Sequence, residues 1–246
     1  MKIAIISDIH SNLSALESIL LDIDNNSCDE CICLGDIVGY GPDPLECINL
    51  IKQRNIKCLM GNHDAAVCNL ISLDYFNSYA KKSIEWTINK LTPIELDYLK
   101  TFIDQIKIKN ILFIHGALGD KFDYIINIKK LEENIKILTE KYKNINICIF
   151  GHTHIPFISR NNSFEIITSD SKLIIKNFEK DIVFINPGSV GQPRCGQNNN
   201  ANYCLLNTTT GEVHFRFISY DVKKTYNKII KIGLPKFLAD RLISGY

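Results

Sequence analysis

The sequence has almost no surplus of either charge, with 28 lysines and arginines against 27 aspartates and glutamates and a net charge of +1. Such a balance gives no reason to expect nucleic acid as an obligate partner. The chain also lacks any apolar run near the ~18 residues that span a membrane, and the apolar start at residues 1–6 is too short for a signal-peptide core. We therefore expect a soluble, cytoplasmic protein with no membrane partner.

Cysteine lacks the dense, even-numbered pattern of a secreted disulfide scaffold, since nine cysteines are scattered through the chain. We expect them to be reduced. Only Cys28, Cys31 and Cys33 form a cluster, and no second pair of cysteines or histidines follows nearby to complete four zinc ligands. The apolar segment 31–34 is typical of a buried strand, which favours a structural role for the cluster over a zinc or redox site.

The order of apolar segments predicts an α/β protein with a single domain over residues 1–246. Its 46% hydrophobic composition is sufficient for one large core. In the first half, an apolar strand, a polar motif and an amphipathic helix follow one another three times. Strands are predicted at 2–7, 30–34, 56–60, 101–107, 111–114 and 145–150, with hairpins at 156–168 and 201–219 and two further strands within 172–185.

Capping signals mark several of the predicted helices. Asp43-Pro44-Leu45-Glu46 offers a cap residue, a proline at the first helical position and an acid two residues later. Thr92-Pro93-Ile94-Glu95 repeats this pattern inside a mostly helical stretch from 63 to 100. A C-terminal helical tail is expected at about 221–246, divided at Pro235, and residues 196–200 are expected to form a mobile loop.

Histidine is scarce, and five of the six histidines follow predicted strands in short polar motifs; only His214 stands outside them. Side chains two apart in an extended segment point the same way, and residues at the carboxyl ends of strands in α/β sheets converge on one site. We therefore predict one shared site, built from Asp8-Ile9-His10, Gly35-Asp36, Gly61-Asn62-His63-Asp64, His115-Gly116 and Gly151-His152-Thr153-His154.

Carboxylate and imidazole donors suit divalent cations, and two such ions can share a bridging carboxylate and hold a phosphoryl group between them. The available donors are Asp8, His10, Asp36, Asn62, His115, His152 and His154. Only Asp8 and Asp36 are anionic, so a site with two divalent cations keeps a positive charge even with a bridging hydroxide. That charge would attract a phosphate ester.

These ordered motifs resemble those of the calcineurin-like metallophosphoesterases. The resemblance extends nearly end to end and is greatest to the small bacterial and archaeal branch of phosphodiesterases. It includes the segments 7–12, 36–44 and 186–194 and the Leu234-Pro235 pair in the tail. The family implies a four-layer α-β-β-α sandwich in which two mixed sheets pack face to face and helices cover the outside.

The resemblance also implies a role for each motif residue. Asp8, His10 and His154 would bind one metal, Asn62, His115 and His152 the other, and Asp36 would bridge them. A metal-bridging hydroxide would attack phosphorus in line, and His63 would bind a phosphoryl oxygen or protonate the leaving group. Two divalent ions are expected, with Mn²⁺ favoured and Fe, Zn or Ni compatible with the same donors.

One departure from the family concerns the substrate. Protein phosphatases and symmetric dinucleoside tetraphosphatases resemble each other in an Asp-Arg pair where this chain has Gly39 and Tyr40. The missing arginine disfavours phosphoproteins and dinucleoside polyphosphates, and favours a diester or a small phosphorylated metabolite. Candidate substrate contacts are Asn12, Tyr40 and Arg194, with a structural salt bridge as the alternative for Arg194.

The most direct prediction is a binuclear-metal phosphodiesterase for a small or nucleotide-type phosphate ester. A phosphomonoesterase of a small metabolite is the alternative. A non-catalytic scaffold of this fold, like the retromer subunit, is disfavoured because no ligand is missing. A nuclease is disfavoured by the neutral charge balance. Asp64 is either a partner of a ligand or a helix cap, and a homo-oligomer stays open.

Overall fold

The computed structural model describes residues 1–160, 163–196 and 199–245 and contains two six-stranded sheets with helices on their outer faces. The strands are β1 (Lys2–Ile6), β2 (Glu30–Cys33), β3 (Lys57–Cys58), β4 (Gln105–Ile108), β5 (Ile111–Ile114), β6 (Ile147–Ile149), β7 (Phe157–Arg160), β8 (Ser163–Ile166), β9 (Ser171–Ile174), β10 (Val183–Asn186), β11 (Ala201–Asn207) and β12 (Glu212–Ile218). The helices are α1 (Leu13–Asn25), α2 (Pro44–Gln53), α3 (Asn62–Val67), α4 (Ser78–Ile88), α5 (Pro93–Leu99), α6 (Ile128–Lys141), α7 (Val222–Lys231) and α8 (Lys236–Ser244), with a 3₁₀ turn at Leu73–Tyr75.

Both sheets are mixed. The first has the order β3-β2-β1-β11-β12-β9, and β1 runs parallel to β2 but antiparallel to β11. The second has the order β4-β5-β6-β10-β7-β8, and β10 runs parallel to β6 but antiparallel to β7. This arrangement confirms the predicted pair of mixed sheets.

The alternating sides of β1 show how the core is divided into layers. Ile3 and Ile5 pack between the two sheets, in one cluster with residues of β5 and β6. Ala4 and Ile6 point the other way, into a cluster with α1 and α2. Because both faces of such a strand are buried, its sequence is a continuous apolar run rather than an alternating one. With α6 packed on the far side of the second sheet, the order of layers is α-β-β-α.

Several predicted boundaries differ from the structure. β3 contains only two residues and is extended by a single bridge between Leu59 and Ile103. The strand predicted at 101–107 begins at Gln105, because the N–H groups of Thr101 and Phe102 still bond to carbonyls of α5. The predicted hairpin turn at residues 161–162 lies outside the described residues, as do residues 197 and 198 of the predicted mobile loop.

The helix caps are partly as predicted. Thr92 and Glu95 form the expected reciprocal cap at the start of α5. Asp43 is the N-cap residue of α2, as predicted, but its side chain makes no capping hydrogen bond. Its carboxylate instead accepts a hydrogen bond at 2.6 Å from Lys228 on α7, which links the C-terminal tail to α2. The tail itself consists of α7 and α8, with Pro235 between them.

Two expected absences concern features away from the motifs. In the part of the chain that the structure describes, Cys28, Cys31 and Cys33 form no disulfide, and none of the three belongs to a group of side chains that could hold a metal ion. Cys31 and Cys33 lie in β2, and burial raises the pKa of the Cys31 thiol. Within residues 1–160, 163–196 and 199–245, no helix is long and apolar enough to span a bilayer.

Candidate metal centre

The polar motifs of both sheets meet at one place, beyond the carboxyl ends of their strands. The first sheet contributes Asp8 after β1 and Asp36 after β2, and the second contributes His115 after β5. Several of these residues have a left-handed backbone, which is uncommon for any residue other than glycine and concentrates at functional sites. Positive φ angles occur at Asp8 (55°), His10 (47°), Asp36 (56°), Tyr40 (55°), His152 (64°) and His154 (62°).

One group of donors consists of Asp8, His10 and His154, all buried. His154 Nε2 lies 3.4 Å from Asp8 Oδ1 and 3.1 Å from His10 Nε2. Asp8 Oδ2 accepts a hydrogen bond from the backbone N–H of His152 at 3.0 Å. Asp8 Oδ1 is buried and has no hydrogen-bond partner among the described atoms. A buried carboxylate oxygen without a donor is costly, and a cation between these side chains would offset that cost.

A second group consists of Asp36, His115 and His152, with Asn62 beside it. His115 Nε2 lies 3.5 Å from Asp36 Oδ2 and 3.3 Å from Asn62 Oδ1. The same Asp36 Oδ2 lies 3.7 Å from His10 Nε2, in the first group. Asp36 therefore faces both groups, which is the geometry that a bridging carboxylate needs.

The second ring nitrogen of each histidine in these groups faces a backbone carbonyl. The contacts join His10 Nδ1 to Val38 O (3.1 Å), His115 Nδ1 to Leu34 O (2.9 Å), His154 Nδ1 to Gln192 O (2.6 Å) and His152 Nε2 to Phe122 O (3.0 Å). A carbonyl only accepts, so each of these nitrogens is assigned the N–H, and the other nitrogen keeps its lone pair for the site.

This assignment makes the cluster electrostatically incomplete without cations. His10 and His154 would direct two lone pairs at each other across 3.1 Å, beside the unpartnered Asp8 oxygen. Burial lowers the pKa of both histidines well below the ordinary value, so neither relieves the repulsion by taking a proton. Imidazole nitrogens and carboxylate oxygens in these two groups fit a pair of divalent metal ions.

The charges of Asp36 and His115 are coupled. Burial raises the pKa of Asp36, but the neighbouring His115 and His63 lower it by a larger amount, so the pKa of Asp36 lies below its ordinary value. Burial lowers the pKa of His115, but Asp36 raises it by more, to about 9. Without metal, this histidine therefore carries a proton at neutral pH, and it must lose that proton to become a ligand.

His63 differs from the other four motif histidines. Its Nδ1 is buried and has no hydrogen-bond partner in the described structure, whereas its backbone N–H donates to Asp36 Oδ1 at 2.8 Å. The ring packs against Tyr40 at 4.4 Å and Phe76 at 5.1 Å. Burial lowers its pKa to about 4, so the imidazole is neutral at pH 7. A neutral ring favours hydrogen bonding to a phosphoryl oxygen over proton donation.

Comparison with known proteins agrees with this geometry. Residues 1–211 match the model of the calcineurin-like phosphoesterase superfamily domain. The chain belongs to this superfamily. It is therefore a phosphoric ester hydrolase that binds divalent metal, as the motifs predicted.

Relatives of this phosphoesterase include proteins of nearly identical length. The uncharacterized protein MJ0912 of Methanocaldococcus jannaschii is 38% identical, over 99% of this chain and 98% of its own. A symmetrical bis(5'-nucleosyl)-tetraphosphatase of Wigglesworthia glossinidia brevipalpis is 33% identical, over 66% of this chain and 62% of its own. A metallophosphoesterase structure from Sphaerobacter thermophilus superposes with a TM-score of 0.86 at 33% identity, covering 100% of this chain and 99% of its own.

Asp64 holds the backbone of this phosphoesterase around Asp36. Its Oδ2 accepts from the N–H groups of Asp36 at 2.8 Å and Gly61 at 3.2 Å, and its Oδ1 accepts from Ile37 at 3.0 Å and Val38 at 3.2 Å. The two roles left open by the sequence therefore coexist, because one carboxylate caps α3 and supports a candidate ligand.

The absence of a side chain at residue 39 leaves room for His63. A Cβ atom on Gly39 would lie 2.3 Å from His63 Nδ1, and the φ angle of +88° also favours glycine. An aspartate at residue 39, as in the Asp-Arg pair of other phosphatases, would collide with this ring. The glycine that replaces the aspartate of other phosphatases therefore allows the position that His63 adopts here.

The three predicted substrate contacts have different surroundings. Asn12 is saturated within the protein: its Oδ1 accepts from the Ala15 N–H and the Thr225 hydroxyl, and its Nδ2 donates to Gly191 O and the Tyr220 hydroxyl. This geometry favours a structural role over the predicted contact. Tyr40 packs on His10 and His63 at the site.

Arg194 lies next to the cluster, with its backbone N–H bonded to His154 O at 3.2 Å. Its Nη2 donates to Gln192 Oε1 at 3.3 Å, and its buried Nε has no hydrogen-bond partner among the described residues. Among the described side chains, no carboxylate forms an ion pair with it, so the alternative of a structural salt bridge is not found. His214 lies on β12 and pairs with Asp170 at 3.2 Å, outside the cluster as predicted.

Sequence reasoning missed several residues around the site. Asn186 donates to Gly151 O at 2.7 Å and to Thr153 Oγ1 at 2.9 Å, and so supports the loop of His152 and His154. Tyr124 stacks on His152 with centroids 3.9 Å apart. Beside the cluster, a cavity of about 430 Å³ is lined by residues that include Tyr40, His63, Tyr75, Phe76, Phe122 and Tyr124.

Proposed function

We propose that this phosphoesterase is a binuclear metal-dependent phosphodiesterase for a small or nucleotide-type phosphate ester. The observation that carries the proposal is the position of Asp36 Oδ2, within 3.7 Å of His10 Nε2 and 3.5 Å of His115 Nε2. One carboxylate oxygen thus faces donors of two separate groups. The full donor set also argues against a scaffold that has lost its chemistry.

Two divalent cations at these groups would polarise the phosphoryl oxygens and lower the pKa of a water molecule to near neutrality. Asp8, His10 and His154 would hold one, and Asn62, His115 and His152 would hold the other. Their nitrogen and oxygen donors suit Mn²⁺, which we favour, as well as Fe, Zn or Ni.

The chain's own groups would orient the ester. His63 is fixed by its backbone bond to Asp36 and by Tyr40 and Phe76, so that its ring faces the cavity beside the cluster. As a neutral imidazole it would donate a hydrogen bond to a phosphoryl oxygen, which gains strength as negative charge develops there.

The cavity supports a small substrate. Its volume of about 430 Å³ is in the range of small-molecule sites, and its aromatic rings suit a planar or apolar organic group. A folded phosphoprotein or a long nucleic acid would need a broader surface. The relative named as a symmetrical bis(5'-nucleosyl)-tetraphosphatase adds nucleotide esters to the substrates worth testing, although Gly39 and Tyr40 replace the Asp-Arg pair.

The test is a panel of esters assayed with protein reconstituted with each metal, and with chelated protein as the control. The panel contains an aryl phosphodiester, an aryl phosphomonoester, 2',3'-cyclic nucleotides, a dinucleoside tetraphosphate and single-stranded DNA. We expect the highest kcat/KM on a diester, and we expect no hydrolysis of any ester by the chelated protein. Hydrolysis of the monoester alone would replace the proposal with a phosphomonoesterase, and no hydrolysis under any metal would support a scaffold.

A cytoplasmic location belongs to this proposal, and whether the chain forms a homo-oligomer stays open. Light scattering of the purified full chain, together with fractionation of cells that express it, tests both.

A further inference from the structure

Two arginines meet at the edge of the metal cluster from distant parts of the chain. Arg194 follows β10, and Arg241 lies in the last turn of α8. The N–H of Gly196 donates to Gly245 O at 3.0 Å, and the N–H of Gly245 donates to Arg241 O at 2.9 Å. The loop of Arg194 is therefore tied to the end of the helix that carries Arg241.

These two arginines differ from the other three in the chain. Arg54, Arg160 and Arg216 each form an ion pair with a carboxylate. In the described structure, neither Arg194 nor Arg241 pairs with an acid, and the Nε of each is buried without a hydrogen-bond partner. The Arg194 side chain donates to the neutral amide of Gln192 and interacts with the Tyr124 hydroxyl, and the Arg241 guanidinium lies over the Phe237 ring.

Both arginines lie beside residues of the cluster. The backbone N–H of Arg194 donates to His154 O at 3.2 Å, and the helix that carries Arg241 packs against Tyr40. The positive charge of Arg194 is among the causes that lower the pKa of His63, His152 and His154. Arg241 is close enough for its pKa to be lowered by burial and by Arg194. Tyr40 connects the two regions, because its ring packs on His63 and also belongs to the apolar cluster of α8.

A pair of partly buried like charges with unused donors is unfavourable by itself. Each guanidinium has lost part of its hydration, and the two repel each other. An anion between them would satisfy the free N–H groups and cancel the repulsion. The planar fork of arginine matches the oxygens of a phosphate, often with two parallel hydrogen bonds.

We propose that Arg194 and Arg241 together bind a phosphate group of the substrate. The C-terminal helix then supplies a phosphate-binding arginine in place of the one that is missing at Gly39 and Tyr40. The inference rests on the proposed function, since it assumes a phosphate ester at the adjacent cluster. It assigns a substrate-binding residue to the tail, and it explains why two arginines are kept unpaired at one place.

The test compares R194Q, R241Q and R241K with wild type and with R54Q, whose arginine is exposed and paired with Asp24. Calorimetry of the full-length, metal-loaded protein with inorganic phosphate gives the dissociation constant without relying on turnover. Steady-state kinetics on the preferred ester of the panel gives kcat and KM, and elemental analysis gives the metal content.

We expect R194Q and R241Q each to weaken phosphate binding and raise KM by roughly tenfold or more, about the effect of one lost charge-assisted interaction. Metal content should match wild type. R241K should recover only part of the loss, since an ammonium keeps the charge but not the fork. The melting temperature of R241Q without phosphate should equal or exceed that of wild type, because a repulsion is removed. R54Q should bind phosphate normally.

Wild-type phosphate affinity in both R194Q and R241Q would overturn the inference, and a lower melting temperature with unchanged affinity would assign Arg241 a purely structural role. The arginines could bind the scissile phosphate or a second phosphate of the same substrate. Comparing the variants on a diester and on a dinucleoside tetraphosphate distinguishes these two sites. If the variants lose phosphate binding while wild type hydrolyses no ester, the arginine site stands and the proposed function falls. If wild type hydrolyses diesters and the variants bind phosphate and hydrolyse the ester as wild type does, the proposed function stands and the arginine site falls.

Discussion

Asp64 offers the sharpest quantitative prediction because one buried carboxylate serves four backbone donors. Each of its oxygens accepts two N–H groups, from Asp36 and Gly61 on one side and Ile37 and Val38 on the other. In D64N, one oxygen becomes an NH₂ group. Whichever way the amide turns, two buried N–H donors then face another donor instead of an acceptor.

The magnitude follows from the number of donors affected. An unsatisfied buried polar group costs about 1–3 kcal/mol, so two of them give roughly 2–6 kcal/mol. This is a large part of the ~5–15 kcal/mol by which folded proteins are typically stable. For a chain of this size, the melting temperature should fall by roughly 5–20 °C.

Thermal unfolding followed by circular dichroism, with metal content measured in parallel, checks this prediction. D64N should also bind metal more weakly, because Asp64 positions the backbone of Asp36. D24N is the matched control: Asp24 is half exposed and pairs with Arg54, so its loss should cost at most about 1 kcal/mol. If D64N melts within a few degrees of wild type and keeps its metal, the reasoning about the four donors is wrong.

Four further predictions follow from the site. D36N should lose both metals, and two equivalents still bound by elemental analysis would remove Asp36 from the bridging role. H63A should keep its metal but lose roughly 10²–10⁴-fold in kcat, and an unchanged rate would exclude His63 from the mechanism. The metal-free pKa of His115 is about 9, so metal binding should release a proton from this histidine below pH 9, and the number of protons released should fall as the pH rises above 9. Calorimetry in buffers of different ionisation enthalpy measures this number, and a number that does not fall above pH 9 would contradict the assignment. H214A should retain activity, because His214 pairs with Asp170 away from the cluster, and a folded but inactive variant would reveal a missed site.

Local pattern was sufficient to predict the parts of the fold and site that depend on neighbouring residues. The continuous apolar run of β1 reflects burial on both of its faces, and the motifs of Asp8 and His152 directly follow strands. Strand ends converge wherever parallel strands share a sheet, so the motifs that follow strands of one sheet could be placed together from the sequence.

The rest depends on contacts between distant segments. Asp43 has the local pattern of a helix cap, but its carboxylate accepts a hydrogen bond from Lys228, which is 185 residues away. The fit of His63 against Gly39 requires the positions of two separate loops. Arg241 is one arginine in an amphipathic tail, and only the packing of α8 reveals its proximity to Arg194 and the metal cluster.

The central claim is a pair of metal ions that share Asp36. Anomalous diffraction from crystals of the manganese-loaded protein tests it most directly. We predict two peaks roughly 3.5–4 Å apart, one among Asp8, His10 and His154 and the other among Asn62, His115 and His152. A single peak at the cluster, or two peaks without the Asp36 carboxylate between them, would contradict the claim.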